Sequence, residues 1–523
     1  MGRSQRCLLT PQTFGAERRT PRPTIWVRGV LFLWFDCAMM RVLGNLARLT
    51  LLVTGACTLT PSSQCDHGAA DDGACCPAWA YPSRGRCSLR RWSLPTGADG
   101  FGQQAGSPSV DIDRSGRAWL AFGEGFYGGT GVVVARETSE GWNFSSPSAG
   151  YGGYNSDPKI AVVDDTHAIL VWQRSGYEGG DSSDEVRVGI GEGRLAEPPG
   201  GGQFSFPPYA YQHKVLAHAD GELFVTWNQA LDAGLRRGVC IANRHEGETA
   251  FRRPTSAQDV VSRSLIYSNN PEVSRNERGD MVVAWYESIG EKLRVMVSER
   301  TGLEGHFTHA FDDDALSPPE TDVENPEPAV AEDGRAAVVW RQLLPNGRMA
   351  VFLAERAAGG EWARPSIDQA FSAPVDLAWN TRVAYARTGD LYIAWEQKVA
   401  EDWSVMVAHR DASGRWLASG TDPLRLSNER AIAPVLRVAP DGSVVVLWQS
   451  YSGSRWRVLA RRSAVDAEGL REVDRWSSAV SLSVSGGDAS GATLAVARDA
   501  TASGHRFLAA WSQDGRIYTS SLD

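Results

Sequence analysis

An all-β fold, a β-propeller of four-stranded antiparallel blades, is what this sequence predicts, on three observations. One strand-turn-strand unit recurs every ~55 residues, a tryptophan recurs at one place within it, and no helical periodicity interrupts the series. A single small sheet cannot bury both of its faces. Blades stacked around an axis bury them against each other.

The unit is clearest at Asn270-Pro271-Glu272-Val273, the turn Asn276-Glu277-Arg278-Gly279-Asp280, and Met281-Val282-Val283-Ala284-Trp285. A loop then leads to Leu293-Arg294-Val295-Met296-Val297-Ser298-Glu299-Arg300. The tryptophan returns at Trp172, Trp227, Trp285, Trp340, Trp395, Trp448 and Trp511, with Phe122 in its place in the first copy. The intervals are 50, 55, 58, 55, 55, 53 and 63 residues, so the count is eight blades, or seven if the weak second or last copy is miscounted.

Seven of the eight first strands follow or contain a proline, as in Pro158-Lys159-Ile160-Ala161-Val162. The turns after it, such as Pro440-Asp441-Gly442-Ser443, hold Asp, Asn and Gly, which tolerate positive φ. The third strand is a Val-x-Val run that often closes on arginine: Arg136, Arg244, Arg300, Arg356, Arg410. These arginines read as inter-blade or surface ion pairs. A weaker fourth strand is expected after Trp142, Trp362 and Trp416.

The last copy stops after its third strand, Gly515 to Ser520, and the body opens with Arg91-Trp92-Ser93-Leu94-Pro95, which has fourth-strand character. An N-terminal strand is therefore expected to complete the last blade and close the ring.

Residues 39–56 have signal-peptide grammar: Met40-Arg41, an apolar run too short to cross a bilayer comfortably, then small residues. The ending Thr54-Gly55-Ala56-Cys57 resembles a bacterial lipobox, with Thr54 where leucine is usual. The resemblance implies cleavage before Cys57 and lipid on its sulfur. Thr58, rather than Asp, after it implies outer-membrane sorting, facing the periplasm or the cell surface. Residues 1–38 are Arg- and Pro-rich and read as upstream sequence, with Met39 or Met40 as the start; an unusually long leader is the alternative.

Residues 57–88 form a Cys-rich tether. Cys65, Cys75, Cys76 and Cys87 in an exported chain read as two disulfides, with three pairings open and Cys75 and Cys76 each expected to take Cys65 or Cys87. Cys240 lies in an alternating strand and reads as a buried thiol.

Residues 1–56 carry eight arginines against Glu17 and Asp36, a balance of +6 that leaves −15 for the rest of a chain whose total is −9. An acidic body excludes a nucleic-acid partner, which needs a basic surface. The only membrane contact expected is through the lipid, and the chain is expected to be a monomer. No cofactor or metal motif is present. Asp111-Ile112-Asp113-Arg114-Ser115-Gly116 has oxygen ligands at calcium-loop spacing, yet every copy has an acidic turn there, so it reads as scaffold.

Function should lie where the repeat breaks. The polar residues two places after each tryptophan, Arg174, Gln229, Glu287, Gln342, Gln397, Ser450 and Gln513, are shared by all copies and read as blade-to-blade hydrogen bonding. The departures are aromatic, Gly-rich loops in the first three copies. They carry Phe126, Tyr127, Tyr151, Tyr154, Tyr177, Tyr209 and Tyr211, with Phe204 and Phe206 before the last two. In an up-and-down blade these loops share one rim. Aromatics beside carboxylates suit stacking on sugar rings or packing on a protein.

Residues 89–523 as a whole resemble sialidase-like, bacterial neuraminidase repeat propellers. The resemblance rests on the units ending in Trp and on turns like Asp411-Ala412-Ser413-Gly414-Arg415-Trp416, Thr138-Ser139-Glu140-Gly141-Trp142 and Ala357-Ala358-Gly359-Gly360-Glu361-Trp362, which look like decayed Asp-boxes. It implies a propeller and, in the family's enzymes, an arginine clasp, a Tyr–Glu nucleophile pair and an acid/base Asp. The full Ser-x-Asp-x-Gly-x-x-Trp motif and the Phe/Tyr-Arg-Ile-Pro start are missing, so no catalytic residue carries over.

The expected function is thus a non-catalytic binding module for glycan or surface protein. A glycoside hydrolase of sialidase type is the alternative. Three arginines and a Tyr–Glu pair at the mouth of the axis would favour the hydrolase; a small or apolar axis would favour the module.

Overall fold

Each repeated tryptophan lies within a strand that buries both of its faces. Leu223–Ala230 is buried at every position, and Met281–Ile289 and Ala336–Leu343 nearly so. Strands of this kind are Val- and Ala-rich because β-branched and small side chains fit between two packed sheets. The structure is a computed structural model. It describes the backbone of 80–83, 86–89 and 96–97 and most of the chain from Ala105 to Leu522, except 127–128, 148–153, 179–180, 193–194, 196–202, 207–208, 233–235, 257–259, 263–266, 309–314, 464–474, 499–505 and a few single positions. All described residues belong to one unit, Leu59–Asp523.

The described residues are all-β, with no helix long and apolar enough to cross a membrane. Eight antiparallel meanders follow in chain order. Their first strands are Ala105–Ile112, Tyr154–Val162, Ala210–Ala217, Ser268–Arg275, Val323–Val330, Ala378–Tyr385, Arg430–Val438 and Ala489–Val496. In each, the first strand pairs with the tryptophan strand, or in unit 1 with the Phe122 strand, which pairs with the third. Units 1 and 2 are joined into one sheet by a parallel bridge, Thr130 to Tyr154. One edge of every sheet, here the upper edge, holds the start of the first strand and the second-to-third-strand loop.

The fourth strand is less regular than the sequence implies. It is present after Trp142, Trp362 and Trp416 and as Val480–Ser481, but units 2, 3 and 4 have none among the described residues. An apolar–Ser pair does its work there. Phe204 N donates to Val186 O at 2.9 Å, and Ser205 Oγ accepts from Val186 N at 3.0 Å. Val261-Ser262 on Val239, Leu316-Ser317 on Val295, Phe371-Ser372 on Val351 and Leu426-Ser427 on Val405 repeat it. The apolar member fills the core, as with Phe204, only 3% exposed. Two residues thus satisfy the third strand's edge where a whole strand was expected.

The core is divided between sheets. Every hydrophobic cluster takes residues from two successive units. One of them joins Ala495, Leu508 and Ala510 of the last unit to Val110, Leu120 and Phe122 of the first. Each first strand touches the next, and the last, Ala489–Val496, touches Ala105–Ile112. The expected strand at 91–95 lies outside the described residues, but Thr96 and Gly97 pair with Thr519 and Tyr518 on the final strand, Arg516–Leu522. Cys240 is buried in its strand.

The polar residues after the tryptophans act within their own unit rather than between units. The indole N–H donates to Gln229, Glu287, Gln342, Gln397 and Gln513 at 2.7–3.3 Å. Gln229, Gln342 and Gln513 then donate to carbonyls of the incoming connector, at Tyr209, Pro318 and Gly487. The strand-ending arginines do bridge units: Arg300 grips Glu222 by two bonds of 2.7 and 2.9 Å, Arg356 meets Glu299 at 2.7 Å, and Arg410 meets Glu355 at 2.7 Å.

Two stability outcomes follow. Trp340→Ala, in a fully buried site, lowers stability by about 3–5 kcal/mol in denaturant titration. Removing residues 1–98 exposes the last strand as an edge and lowers Tm, whereas deleting 57–88 leaves Tm nearly unchanged; equal Tm values would show that Thr96–Gly97 stabilises nothing.

Candidate functional site

Every first strand carries one β-bulge at the same place. Its register slips where one residue adopts left-handed φ: Ser107, Asp157, Gln212, Asn270, Asn325, Asn380, Ala433 and Gly491, at 49–62°. Asn, Asp and Gly take this conformation with least strain, which suits five of the eight. A proline follows at five of the bulges, where no N–H is needed. Where the next residue is His213 or Thr381, its side chain donates instead to the carbonyl of the preceding unit's bulge, at Asp157 (2.7 Å) and Asn325 (3.0 Å). Burial lowers His213 to about 4, so it is neutral at pH 7.

The bulges set what faces the axis. Two residues beyond each one stand Ser109, Lys159, Lys214, Glu272, Glu327, Arg382, Val435 and Thr493, all lining one cavity of about 670 Å³ bounded by the eight first strands. Five consecutive units place a charge there. Lys214 meets Glu272 at 2.6 Å, Arg382 meets Glu327 at 3.5 Å, and Lys159 pairs with Asp157. Arg437 also lines the cavity. Burial pushes Glu327 up to about 7, Arg382 opposing and Glu272 adding to the rise. The cavity lining is therefore charged rather than small or apolar; three arginines, Arg275, Arg382 and Arg437, line it, and no tyrosine does among the described residues.

The upper edge around this cavity gathers aromatics and arginines. The Arg237 guanidinium lies 5.0 Å from the ring centres of both Tyr211 and Tyr267. Asn269 donates to Tyr267 (2.7 Å) and Tyr286 (2.9 Å) and accepts from Asn228 at 2.8 Å. Arg341 pairs with Glu324 and lies 3.3 Å from the ring centre of Trp379. Farther round, Arg430 stands over Tyr451 and Trp456. Among the described residues seven large hydrophobics are exposed, and five of them, Tyr154, Leu343, Leu377, Trp379 and Tyr451, belong to this edge. Burial pushes Tyr211 up to about 12 and Tyr286 higher still, the latter with Tyr267 and Glu324 adding.

The sequence-predicted aromatics fall on the same edge as far as they are described. Tyr154 is 53% exposed and opposite Ser175. Tyr209 and Tyr211 are half-buried. Phe126 and Tyr177 occupy hairpin ends by backbone pairing, to Gly129 and Ser182; their side chains, Tyr127 and Tyr151 lie outside the described residues. So do Cys57, Cys65, Cys75 and Cys76, while Cys87 is described only by its strand pairing to Pro82. Phe204, expected on a rim loop, is core. Missed from sequence were Trp379, Arg341, Arg237 and the axial charges. Trp379, Arg341 and the axial charges sit at fixed offsets from the bulge or the tryptophan, and aligning the copies would have found them; Arg237 follows a loop of variable length.

The Asp111–Gly116 turn spends its oxygens on the scaffold. Asp113 accepts from Ser115 Oγ (2.6 Å) and Arg117 N (2.9 Å), and Asp111 from Val162 N (2.7 Å). No cluster of His, Cys, Asp and Glu able to hold a metal occurs among the described residues.

One buried acid stands apart. Glu124 holds the place of Gln229 and its equivalents, but Phe122 replaces the tryptophan and offers no indole N–H. Its carboxyl is fully buried, both oxygens lack a hydrogen-bond partner, and burial raises its pKa.

No family model and no curated protein matches the chain. Solved structures similar to it include a Hadza microbial sialidase (11% identity, 83% of this chain, 96% of that one, TM-score 0.37). An ulvan lyase of polysaccharide lyase family PL25 is similar at 10% identity over 83% and 96%, TM-score 0.42. The Penicillium chrysogenum α-L-arabinanase is similar at 11% over 72% and 99%, TM-score 0.35. At these scores the likenesses carry no argument about this chain.

Glu124 gives a pH-dependent stability. An unfolded carboxyl ionises near pH ~4.3 and the buried one above that, so stability falls as pH rises from the unfolded pKa to the folded one. Glu124→Gln removes this fall. The variant matches the parent at pH 4 and unfolds at higher urea than the parent at pH 8; a parent more stable than the variant at pH 8 would mean that the carboxylate is satisfied.

Proposed function

We propose that the chain is an eight-bladed β-propeller, closed by its N-terminal strand, that acts as a non-catalytic binding module for a glycan or protein ligand at the upper edge. Shared clusters between all successive units, and between last and first, support the ring. The convergence of Tyr154, Trp379 and Tyr451, all at least 36% exposed, on the one edge that also bears Arg341 and Arg430 carries the binding reading. Exposed rings flanked by hydrogen-bonding groups stack on sugars and on apolar side chains alike. The arginine under Trp379 holds that ring in place, so little order is lost on binding.

Nothing singles out the hydrolase. A tyrosine nucleophile needs an easily ionised hydroxyl, and Tyr286, beside Glu324, is pushed the other way. Arg341 is already engaged by Glu324. By its signal grammar, the module is exported and tethered through Cys57 to the outer membrane.

Replacing Trp379 and Tyr451 with Ala weakens binding on a glycan array or to cell-wall material, by about 0.5–1.5 kcal/mol or roughly two- to tenfold per lost stack, without lowering Tm. Replacing Tyr127, Tyr154 and Tyr177 together tests the other sector of the edge. Parent-like binding by both sets would refute the upper-edge reading. Cys57→Ser moves the protein from the membrane to the soluble fraction; unchanged fractionation would remove the lipid anchor.

A further inference from the structure

We propose that the axial cavity is a second binding site, for a small organic anion bearing carboxylate or phosphate groups, with Arg437 and Arg382 as its anchors. The proposal goes beyond recognition at the upper edge and does not depend on it. The cavity, at about 670 Å³, is in the size range of small-molecule sites, ~300–1,000 Å³. Its lining is polar where that of a mere packing gap would be apolar.

Charge decides the ligand's sign. Lys159, Lys214, Arg382 and Arg437 face Asp157, Glu272 and Glu327. Arg275 also lines the wall, but its guanidinium is spent on Asp220 (2.5 Å) and Glu222 (3.1 Å). The remaining groups carry one positive charge more than they neutralise. The excess is localised: Arg437 forms no ion pair among the described residues, and its Nη1 donates only to Leu436 O at 2.9 Å. It is exposed to the half-open cavity that it lines, and desolvation by the surrounding strands lowers its pKa. A guanidinium so placed lacks the two-pronged oxygen partner that its geometry suits. Arg382 is one unit away, held only loosely by Glu327 at 3.5 Å.

Glu327 makes the site respond to pH. The groups facing it are Glu272, Lys214, Arg382 and Arg437, with the Asp157–Lys159 pair and neutral His213 in the units beyond. Its carboxyl titrates at about 7. An arriving anion repels the carboxylate, so binding draws a proton onto Glu327. Binding is then tight below neutral pH and weakens as Glu327 ionises.

The test uses the full chain, with citrate and inorganic phosphate as probes against sodium chloride of equal ionic strength. Calorimetry at pH 6 and pH 8 is expected to show saturable binding of at least one probe, tighter at pH 6. Citrate alone would point to a carboxylate ligand, phosphate alone to a phosphate. Arg437→Met weakens binding by about tenfold or more. Glu327→Gln binds about as the parent does at pH 6 and several-fold tighter at pH 8, and this comparison carries the test if Arg437→Met fails to fold. No saturable binding above the chloride control, parent-like affinity in folded Arg437→Met, or Glu327→Gln no tighter than the parent at pH 8 would each overturn the proposal.

Discussion

Among the described residues, no repeat unit of this protein has a hydrophobic cluster of its own. The hydrophobic clusters all straddle two successive units, so a unit is stable only between neighbours. Tryptophan suits this demand. Its ring fills the gap between sheets, while its N–H reaches the amide two residues on in the same strand. That amide then holds the connector leading into the unit's first strand. One side chain therefore fixes the sheet-to-sheet packing, and its partner fixes where the innermost strand begins.

That start determines the site. The innermost strand enters at the upper edge, slips register at its left-handed residue, and then points alternate side chains at the axis. Ile160, Val215, Val273 and Val383 border the cavity but pack into the intersheet clusters. Without the slip, a strand of period two would exchange the two sets and turn Lys159, Lys214, Glu272 and Arg382 toward those clusters. The bulge is thus the device by which a Val-rich sheet presents charge inward while keeping its apolar face for the neighbouring sheet.

The repeated features were legible in the sequence because they are the ones that packing imposes on every copy. The tryptophan strands, the Asp/Gly turns, the bridging arginines and the buried Cys240 come from that constraint. The fourth strand is present where the second aromatics predict it, but in units 2, 3 and 4 none occurs among the described residues, and two residues do its task. Phe204-Ser205 and Leu316-Ser317 have no periodicity to read, and Phe204 looked like rim. The site was less legible. Aromatic loops draw the eye by composition, and they do lie on the upper edge at Tyr154 and Tyr211. Trp379 and the axial ring sit inside regular strands, and only a register that includes the bulge shows which way they point.

The axial ring also bears on what the molecule is for. Eight equivalent positions face one cavity, and a scaffold could fill them with small or apolar side chains, as Val435 and Thr493 do. Placing Lys214, Glu272, Glu327 and Arg382 there adds desolvation that ion pairing offsets only in part, and well-packed apolar residues are commonly as stabilising as such pairs. Stability alone therefore does not account for the charges. Their order around the ring is also uneven: two lysines, two glutamates, one arginine, then three uncharged positions with Arg437 set one step along its strand. An arrangement that served only to neutralise itself would close each pair tightly. Here Arg382 is loosely held and Arg437 has no carboxylate, while Glu327 is close to giving up its charge. The positive sector of the cavity is the part left incomplete, and a ligand's oxygens are the groups that would complete it.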